Sequence, residues 1–314
     1  MNERPHFARV ALIGLGLIGS SIARAVKQIG LADELVATDA SAAVRDRAAE
    51  IRLADRIAAT NADAVRDADL VIACVPVGAC AEVAASIAPH LKAGAIVSDV
   101  GSVKGAVLRA MAPLLPPSVH FIPAHPVAGT ENSGPDAGFA ELFINRWCIL
   151  TPPEGIDPAA LDRLTGFWRA LGANVEVMSA EHHDLVLAVT SHLPHLIAYT
   201  IVGTADELED VTRSEVLKFS AGGFRDFTRI AASDPTMWRD VFLTNKDAVL
   251  EMLGAFQEDL SKLTRAIRRG DGDALFDHFT RTRAIRRGIV DLGQETASPD
   301  FGRPHGPLPK TPSS

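Results

Sequence analysis

Apolar residues in the first half of the chain come in short, uninterrupted runs rather than in alternation with polar residues. The runs lie at Val10–Gly19, Glu34–Asp39, Asp69–Val77, Ala95–Val100, His120–Val127 and Trp147–Thr151. Ala-rich segments of helical length separate them, at Ser41–Ile51, Ala79–His90 and Lys104–Leu115. Strands that are buried on both faces have this pattern, and helices between them connect parallel neighbours. The pattern predicts an α/β domain with a doubly wound, mostly parallel sheet over residues 1–178.

From residue 179 onward the strand signals stop and the chain predicts helices. They lie at Ser179–Val202, Asp206–Phe219, Pro235–Phe242, Asn245–Arg269 and Asp273–Leu292. In the fourth of them, apolar residues at steps of three and four form a narrow seam that suits packing on another helix. This seam consists of Leu253, Phe256, Leu260, Leu263 and Ile267. We expect an all-helical domain over residues 179–297 that forms a homodimer, because such a segment does not close a core alone. Residues 298–314 are rich in Pro, Gly and Ser and are expected to be a disordered tail.

The composition excludes several classes of protein. With 314 residues, 47% of them hydrophobic, the chain is long enough for two packed domains. A formal net charge of −8, without a Lys/Arg-rich run, argues against a nucleic-acid-binding surface. The uncharged run Val10–Ala23 is shorter than the ~20 residues of a membrane span, and its three glycines are unlike a signal peptide. Cys74, Cys80 and Cys148 form no CxxC pair, which favours a reducing compartment over secretion, so we expect a cytoplasmic protein. The charge and the length of the uncharged run indicate neither nucleic acid nor membrane as partner.

The first apolar run contains a GxGxxG motif between a predicted strand and a predicted helix. Its residues are Gly14, Leu15, Gly16, Leu17, Ile18 and Gly19. Such a turn lets a dinucleotide pyrophosphate approach the N-terminus of the helix. Asp39, at the end of the next strand, is placed to accept hydrogen bonds from both ribose hydroxyls and to repel a 2′-phosphate. The motif therefore predicts NAD as cofactor, although a glycine-rich turn can also start a helix without binding a ligand.

Three further segments lie where ligands bind in such sheets. Val75 and Pro76 follow a strand and are weaker candidates for cofactor contact, with an ordinary loop as the alternative. The segments Asp99–Lys104 and His125–Glu131 follow later strands and would lie beside the nicotinamide. A lone histidine is usually structural, and His125 could cap a loop. Its place beside a redox cofactor and an ordinary pKa near neutrality make it a candidate general base.

The helical half adds histidines and arginines. His192 and His195 share one helical face near Pro194, but no third ligand accompanies them, so no metal site is expected. Arg225 and Arg229 are four residues apart among glycines and aromatic residues. The planar guanidinium suits a carboxylate-bearing substrate, while a solvated surface pair is the alternative.

Five motifs in this order and spacing resemble the prephenate/arogenate (cyclohexadienyl) dehydrogenase family over about residues 7–292. They are GLGLIG, DVGSVKG, HPVAGTENSG, TSHLPH and GGFRDFTRIAASDPTMWRD. The resemblance implies a Rossmann-type nucleotide-binding domain followed by a helical dimerisation domain. It also implies an enzyme of tyrosine biosynthesis that oxidises the ring C4 hydroxyl of a cyclohexadiene with NAD and releases the ring carboxylate as CO2.

The resemblance also assigns residues to roles. It implies that His125 takes the hydroxyl proton, that Ser102 lies near that hydroxyl and the nicotinamide, and that Arg229 binds the ring carboxylate. Glu131 is expected to gate access of the substrate. The other residues that it places in substrate binding are Ser191, His195, Gly222, Arg225, Asp226 and Trp238. The segment holding Gly222, Asp226 and Trp238 is one that the partner subunit is expected to contribute. Arg225 stands where some relatives have lysine.

Prephenate is the expected substrate, and arogenate or both substrates remain an alternative, since no motif distinguishes a keto group from an amine. A different Rossmann-plus-helices enzyme, such as a β-hydroxyacid dehydrogenase or pyrroline-carboxylate reductase, would not need the HPVAGTE and GGFRDFTR segments. A non-catalytic NAD-binding regulator would keep the glycine turn and Asp39. It would have no reason to assemble His125, Ser102 and Arg229.

Overall fold

The computed structural model describes residues 5–130, 132–207 and 222–289. The strands are β1 (Phe7–Ile13), β2 (Ala32–Thr38), β3 (Arg56–Ile57), β4 (Leu70–Ala73), β5 (Ile96–Asp99), β6 (His120–Phe121), β7 (Ala124–Pro126), β8 (Trp147–Leu150) and β9 (Asn174–Val177). The α-helices are α1 (Leu17–Ile29), α2 (Ala42–Glu50), α3 (Asn61–Val65), α4 (Cys80–Ile87), α5 (Lys104–Met111), α6 (Pro158–Ala170), α7 (Ala180–Leu187), α8 (Leu193–Asp206), α9 (Gly222–Thr228), α10 (Pro235–Thr244), α11 (Lys246–Arg269) and α12 (Gly272–Ile289).

The main sheet is parallel throughout, in the order β3-β2-β1-β4-β5-β6. The central strands are buried on both faces, which explains why their sequences are continuously apolar. The direction of winding reverses between β1 and β4, and ligands bind at the carboxyl ends of the strands beside such a reversal. The predicted doubly wound parallel sheet is confirmed.

One predicted strand is in fact two. The apolar run His120–Val127 divides into β6, which joins the main sheet, and β7, which pairs antiparallel with β8 in a second sheet of order β7-β8-β9. The change occurs after Ile122, the last residue to donate to the β5 backbone, at Val97 O (2.9 Å). The next donor in register, Ala124 N, bonds to the Asp99 side chain (3.2 Å) instead, and the Pro123 carbonyl already accepts from Thr151 N (2.9 Å).

The predicted helices of the second half are found as α7 with α8, α10, α11 and α12. The helix expected at Asp206–Phe219 lies outside the described residues from residue 208 onward, and so does the tail at 298–314. A π-helical turn, Ala188–His192, joins α7 to α8 immediately before Pro194. Proline cannot donate to the preceding turn, and a π-turn is one way to absorb the lost hydrogen bond. The short β3, α3 and the longer α6 were not anticipated.

Within the described residues, one helix is long and apolar enough to cross a membrane: the rod Ala180–Asp206, with a mean hydropathy of 1.6 in its most apolar window. It contains the uncharged stretch Leu185–Ala205, which is longer than Val10–Ala23. The length of the uncharged runs therefore does not exclude a membrane span, contrary to the expectation from the sequence. However, His183 and His192 of this rod hydrogen-bond to side chains of other elements. Core helices of soluble proteins pass the same length and composition test, so length and composition alone do not make it a membrane span.

Candidate active site

The glycine turn between β1 and α1 has the close packing that its motif requires. Gly14 adopts a φ of +96°, and a Cβ there would collide with the Cys74 carbonyl. A Cβ on Gly19 would collide with the Gly14 carbonyl. Gly16 caps α1, and among the described residues a Cβ built there would meet Ser133 Oγ at 3.7 Å and nothing closer outside its own helix. The N-terminus of α1 is thus open to a close backbone contact, and this cradle fits a pyrophosphate.

Asp39 follows β2 and ties the turn to the second strand. Its carboxylate accepts from Leu15 N (2.8 Å) and Ser41 N (2.9 Å). Each carboxylate oxygen has a further lone pair, so the group can still accept from ribose hydroxyls. The side chains of Leu15 and Leu17 are buried in the core, and Ile18 packs at its edge, so only their backbone can face a cofactor. Asp39 therefore fits the predicted ribose-binding role.

Val75 and Pro76 lie in the loop after β4, directly across the winding reversal from the glycine turn. Val75 contacts a Cβ built on Gly14 at 3.1 Å, and Pro76 is exposed. The structure brings both residues to the carboxyl edge of the sheet, where their prediction placed them.

His125 lies on β7 and is buried, with 8% of its surface exposed. Its Nδ1 is 2.8 Å from Nε2 of His183, whose Nδ1 is 2.8 Å from Asp184 Oδ1. Burial lowers the pKa of His125 well below its ordinary value, and its electrostatic interactions with His183 and Lys104 lower it further. The imidazole is therefore neutral near pH 7, which is the protonation state that a general base requires.

A fully buried ion pair lies beneath this histidine. Lys104 Nζ donates to Asp99 Oδ2 (2.5 Å) and to the Ala124 carbonyl (2.6 Å), and neither charged side chain has exposed surface. Asp99 also accepts from Gly101 N (2.7 Å) and Ala124 N (3.2 Å). The pair locks the loop after β5, which carries the half-buried Ser102, to the residue before His125. Sequence reasoning treated Asp99 and Lys104 only as members of a polar loop.

A second cluster forms where α8 meets α10. The His195 ring stacks on Trp238 with centroids 3.6 Å apart and an interplanar angle of 24°. His195 Nδ1 donates to the Ser191 carbonyl (2.8 Å). Burial lowers the pKa of His195, and the charge of the half-buried Arg229 lowers it further. The structure thus brings together Ser191, His195, Arg229 and Trp238.

His192 links the two clusters. The Asn245 side chain donates from Nδ2 to the Asp184 carbonyl (2.8 Å) and lies 3.1 Å from His192 Nδ1. The ring of His192 in turn meets Trp238 edge-on, with centroids 6.1 Å apart. A continuous series of contacts therefore joins His125 to the Arg229 cluster within one subunit.

The other predicted substrate-binding residues are Glu131 and three residues of α9, Gly222, Arg225 and Asp226. Arg225 and Asp226 are exposed on α9, which begins at Gly222 and packs against α8. Glu131 lies outside the described residues. Trp238 packs in its own subunit, and the expectation that its segment serves the partner's site stays a prediction.

Sequence reasoning missed His183, Asp184 and Asn245. The segment Ala180-Glu-His-His-Asp184 reads as the first turn of a helix with solvated polar residues. Only the packing of α7 against α5 shows that His183 is buried while His182 is exposed.

Comparisons with known proteins agree with this geometry. Residues 22–177 match the family model described as "Prephenate dehydrogenase, nucleotide-binding domain", and residues 179–281 match "Prephenate dehydrogenase, dimerization domain". The cyclohexadienyl dehydrogenase of Zymomonas mobilis is 48% identical over 280 residues, covering 89% of this chain and 95% of the relative. The prephenate dehydrogenase of Bacillus subtilis is 34% identical over 93% of this chain and 78% of its own length.

A solved structure has the same fold. Prephenate dehydrogenase from Aquifex aeolicus, in complex with hydroxyphenyl propionate and NAD+, superimposes with a TM-score of 0.84 and 32% identity. The match covers 91% of this chain and all of that one. The two family models together match most of the chain, and the relatives exceed 30% identity over nearly all of it. The chain belongs to the prephenate dehydrogenase family.

Proposed function

We propose that this protein is an NAD-dependent prephenate dehydrogenase, in which residues 1–178 bind the nucleotide and residues 179–297 complete the substrate site and form the dimer. The observation that carries the proposal is a buried, neutral His125 that a series of side-chain contacts joins to the Arg229 cluster. The Aquifex aeolicus relative, solved with NAD+ and a hydroxyphenyl acid, supports the cofactor and the substrate class.

His125 and Ser102 act on the reacting hydroxyl. NAD, when bound, accepts the hydride from ring C4. His125 takes the C4 hydroxyl proton at Nε2 as the carbonyl forms, and Ser102 is assigned, as the family resemblance implies, to a hydrogen bond with the same oxygen. Loss of the ring carboxylate as CO2 then returns an electron pair to the ring, which becomes aromatic, and the proton held by His125 returns to the phenolate. Atoms and charge balance without another reactant.

Arg229 supplies the positive charge that a dianionic substrate needs in an acidic protein. Its guanidinium can bind the ring carboxylate with two parallel hydrogen bonds. His195 and Trp238 form a rigid wall beside it, and Ser191 fixes the His195 ring through its carbonyl. We place Glu131, Gly222, Arg225 and Asp226 around the entrance of this pocket, as the family resemblance implies.

A second candidate function is dual cyclohexadienyl dehydrogenase activity on prephenate and arogenate. The Zymomonas mobilis relative, at 48% identity, carries that name, which is the observation in favour. The ratio of kcat/KM for the two substrates decides between these functions.

We also propose a cytoplasmic homodimer. In one subunit α11 and α12 expose large apolar side chains, among them Phe276 at 69% and Ile267 at 66%. A surface of this kind, within the segment that matches a dimerisation domain, is expected to be covered by a second copy. Light scattering at micromolar concentration should give twice the 33.3 kDa monomer mass, and a monomer would contradict the proposal.

Steady-state reduction of NAD by prephenate tests the enzymatic proposal. His125→Asn should lower kcat by about 10²–10⁴-fold with little change in KM. Arg229→Ala should mainly raise KM for prephenate, because it removes a charge-assisted contact of about 1.5–3 kcal/mol. The exposed Arg169→Ala on α6, outside all five motifs, is the matched control and should leave both constants unchanged. Wild-type protein that binds NAD but reduces it with neither substrate would instead support the regulator.

A further inference from the structure

His125 is the outer member of a buried chain of three ionisable side chains. His125 lies on β7 of the nucleotide-binding half, whereas His183 and Asp184 lie on α7. The two contacts of the chain are both 2.8 Å, and His183 has no exposed surface. The rings of the two histidines meet edge-on, with centroids 5.1 Å apart. The proposed base is therefore held by a side chain from the other half of the molecule.

Asp184 sets the direction of the proton at the inner end of this chain. Its Oδ1 accepts from Lys104 N (2.8 Å) and its Oδ2 from Gly105 N (2.9 Å), at the start of α5. Neither carboxylate oxygen is placed as a donor, so the Nδ1 of His183 must donate to Oδ1. Burial lowers the pKa of His183, which keeps that ring neutral at pH 7. A neutral His183 that donates from Nδ1 has only a lone pair at Nε2.

The lone pair on His183 Nε2 determines the tautomer of His125. Because His183 Nε2 is an acceptor, His125 must donate from Nδ1 across the 2.8 Å contact. A neutral His125 with its proton on Nδ1 carries its lone pair on Nε2. Nε2 of His125 makes no hydrogen bond within the described parts of the chain, and it is not sealed from solvent as Nε2 of His192 is. The free lone pair is thus on the nitrogen that is open to a substrate.

We propose, on the basis of the function proposed above, that His183 is a positioning residue that fixes His125 in the tautomer with a basic Nε2. Asp184 fixes His183 in turn, and α5 holds Asp184. The other titratable groups around His125 cannot do this. Lys104 directs its ammonium to Asp99 and the Ala124 carbonyl, and His192 is bonded to Asn245.

Gly105 is part of this arrangement. A Cβ at this position would lie 2.9 Å from Asp184 Oδ2 and 3.2 Å from Arg109 Nη1. The Asp184 carboxylate is held by two backbone N–H groups and His183, so it cannot move aside without losing contacts. The absence of a side chain at Gly105 is what lets the carboxylate approach the start of α5.

Two variants of His183 separate tautomer control from packing. In His183→Gln the amide oxygen can still accept from His125 Nδ1, whereas His183→Phe fills the space and offers no acceptor. We expect His183→Phe to lower kcat by about 10²-fold or more, within the range of general base catalysis, with KM for prephenate and NAD little changed. We expect His183→Gln to recover most of that loss. His182→Phe, at the exposed neighbouring position, is the matched control and should match wild type.

Nitrogen NMR of histidine-labelled protein reads the tautomer without any turnover. Wild type and His183→Gln should show His125 protonated at Nδ1 and bare at Nε2, and His183→Phe should show loss of that single tautomer. A wild-type His125 protonated at Nε2, or equal loss of kcat in the Gln and Phe variants, would overturn the inference. Because the spectrum is recorded on resting protein, failure of the proposed reaction would be seen separately as wild type that does not reduce NAD with prephenate.

Discussion

Lys104→Met should strongly destabilise the protein, because it leaves the Asp99 carboxylate buried without its counter-charge. Both groups lack exposed surface, and the ammonium makes two of its contacts at 2.5 and 2.6 Å. Breaking one partner of a buried pair costs about 3–5 kcal/mol. For a domain of this size, each kcal/mol corresponds to about 2–4 °C in Tm, so the loss should be about 6–20 °C.

Thermal unfolding followed by circular dichroism measures this change, with denaturant unfolding as a second probe. The control is Lys262→Met, because the Lys262–Asp259 pair (2.8 Å) is exposed on both sides. We expect no measurable change in that variant. Adding Asp99→Asn to Lys104→Met should restore part of the lost stability, since it removes the uncompensated charge. A Lys104→Met protein as stable as wild type would refute the reasoning, because the carboxylate would then have to be satisfied in some other way.

Three further predictions concern the other parts of the site. Burial lowers the pKa of His192 to about 4, so on acidification the imidazole is protonated in the unfolded chain before it is protonated in the folded chain. The free energy of unfolding should therefore fall by up to about 3 kcal/mol between pH 6.5 and 4. Denaturant unfolding across that range should show a smaller fall in His192→Asn, whose amide oxygen still accepts from Asn245; parallel curves would contradict the assignment. Asp39→Ser should lower kcat/KM for NAD by about 10–100-fold and reduce the preference for NAD over NADP, because the ribose acceptor and the repulsion of a 2′-phosphate are lost. Arg45, whose Nη1 lies 2.6 Å from the residue 39 carbonyl, remains in the variant. An unchanged preference in steady-state assays with both cofactors would argue against Asp39 at the ribose. Gly105→Ala should lower kcat and leave KM little changed, because its Cβ displaces the Asp184 carboxylate. Gly254→Ala on α11 is the control and should leave turnover unchanged, since a Cβ there meets no described atom within 4 Å outside its own helix. Equal turnover of the two variants would mean that the Asp184 carboxylate can move without cost.

The sequence predicts the parallel sheet well because its strands are buried on both faces and therefore read as continuous apolar runs. It fails at His120–Val127, where a single apolar run serves two sheets. The hydrogen bonds of Ala124 N to the Asp99 side chain and of the Pro123 carbonyl to Thr151 N, not hydrophobicity, mark that break.

The site is predictable where a motif fixes local geometry, as in the glycine turn, and not where tertiary packing decides. Lys104 opens a helix and His183 follows another histidine, and both positions are ordinarily solvated. Their burial depends on how α5, α7 and β7 meet, which no local pattern encodes. The same holds for the stacking of His195 on Trp238, 43 positions later in a different helix.

The central claim is that His125 abstracts the hydroxyl proton while NAD accepts the hydride. The most direct test is single-turnover reduction of NAD by prephenate, with enzyme in excess, comparing wild type with His125→Asn. We predict rapid formation of NADH by wild type and a rate slower by about 10²–10⁴-fold in the variant, with prephenate still bound. Equal rates in the two proteins, or no NADH from wild type, would contradict the account.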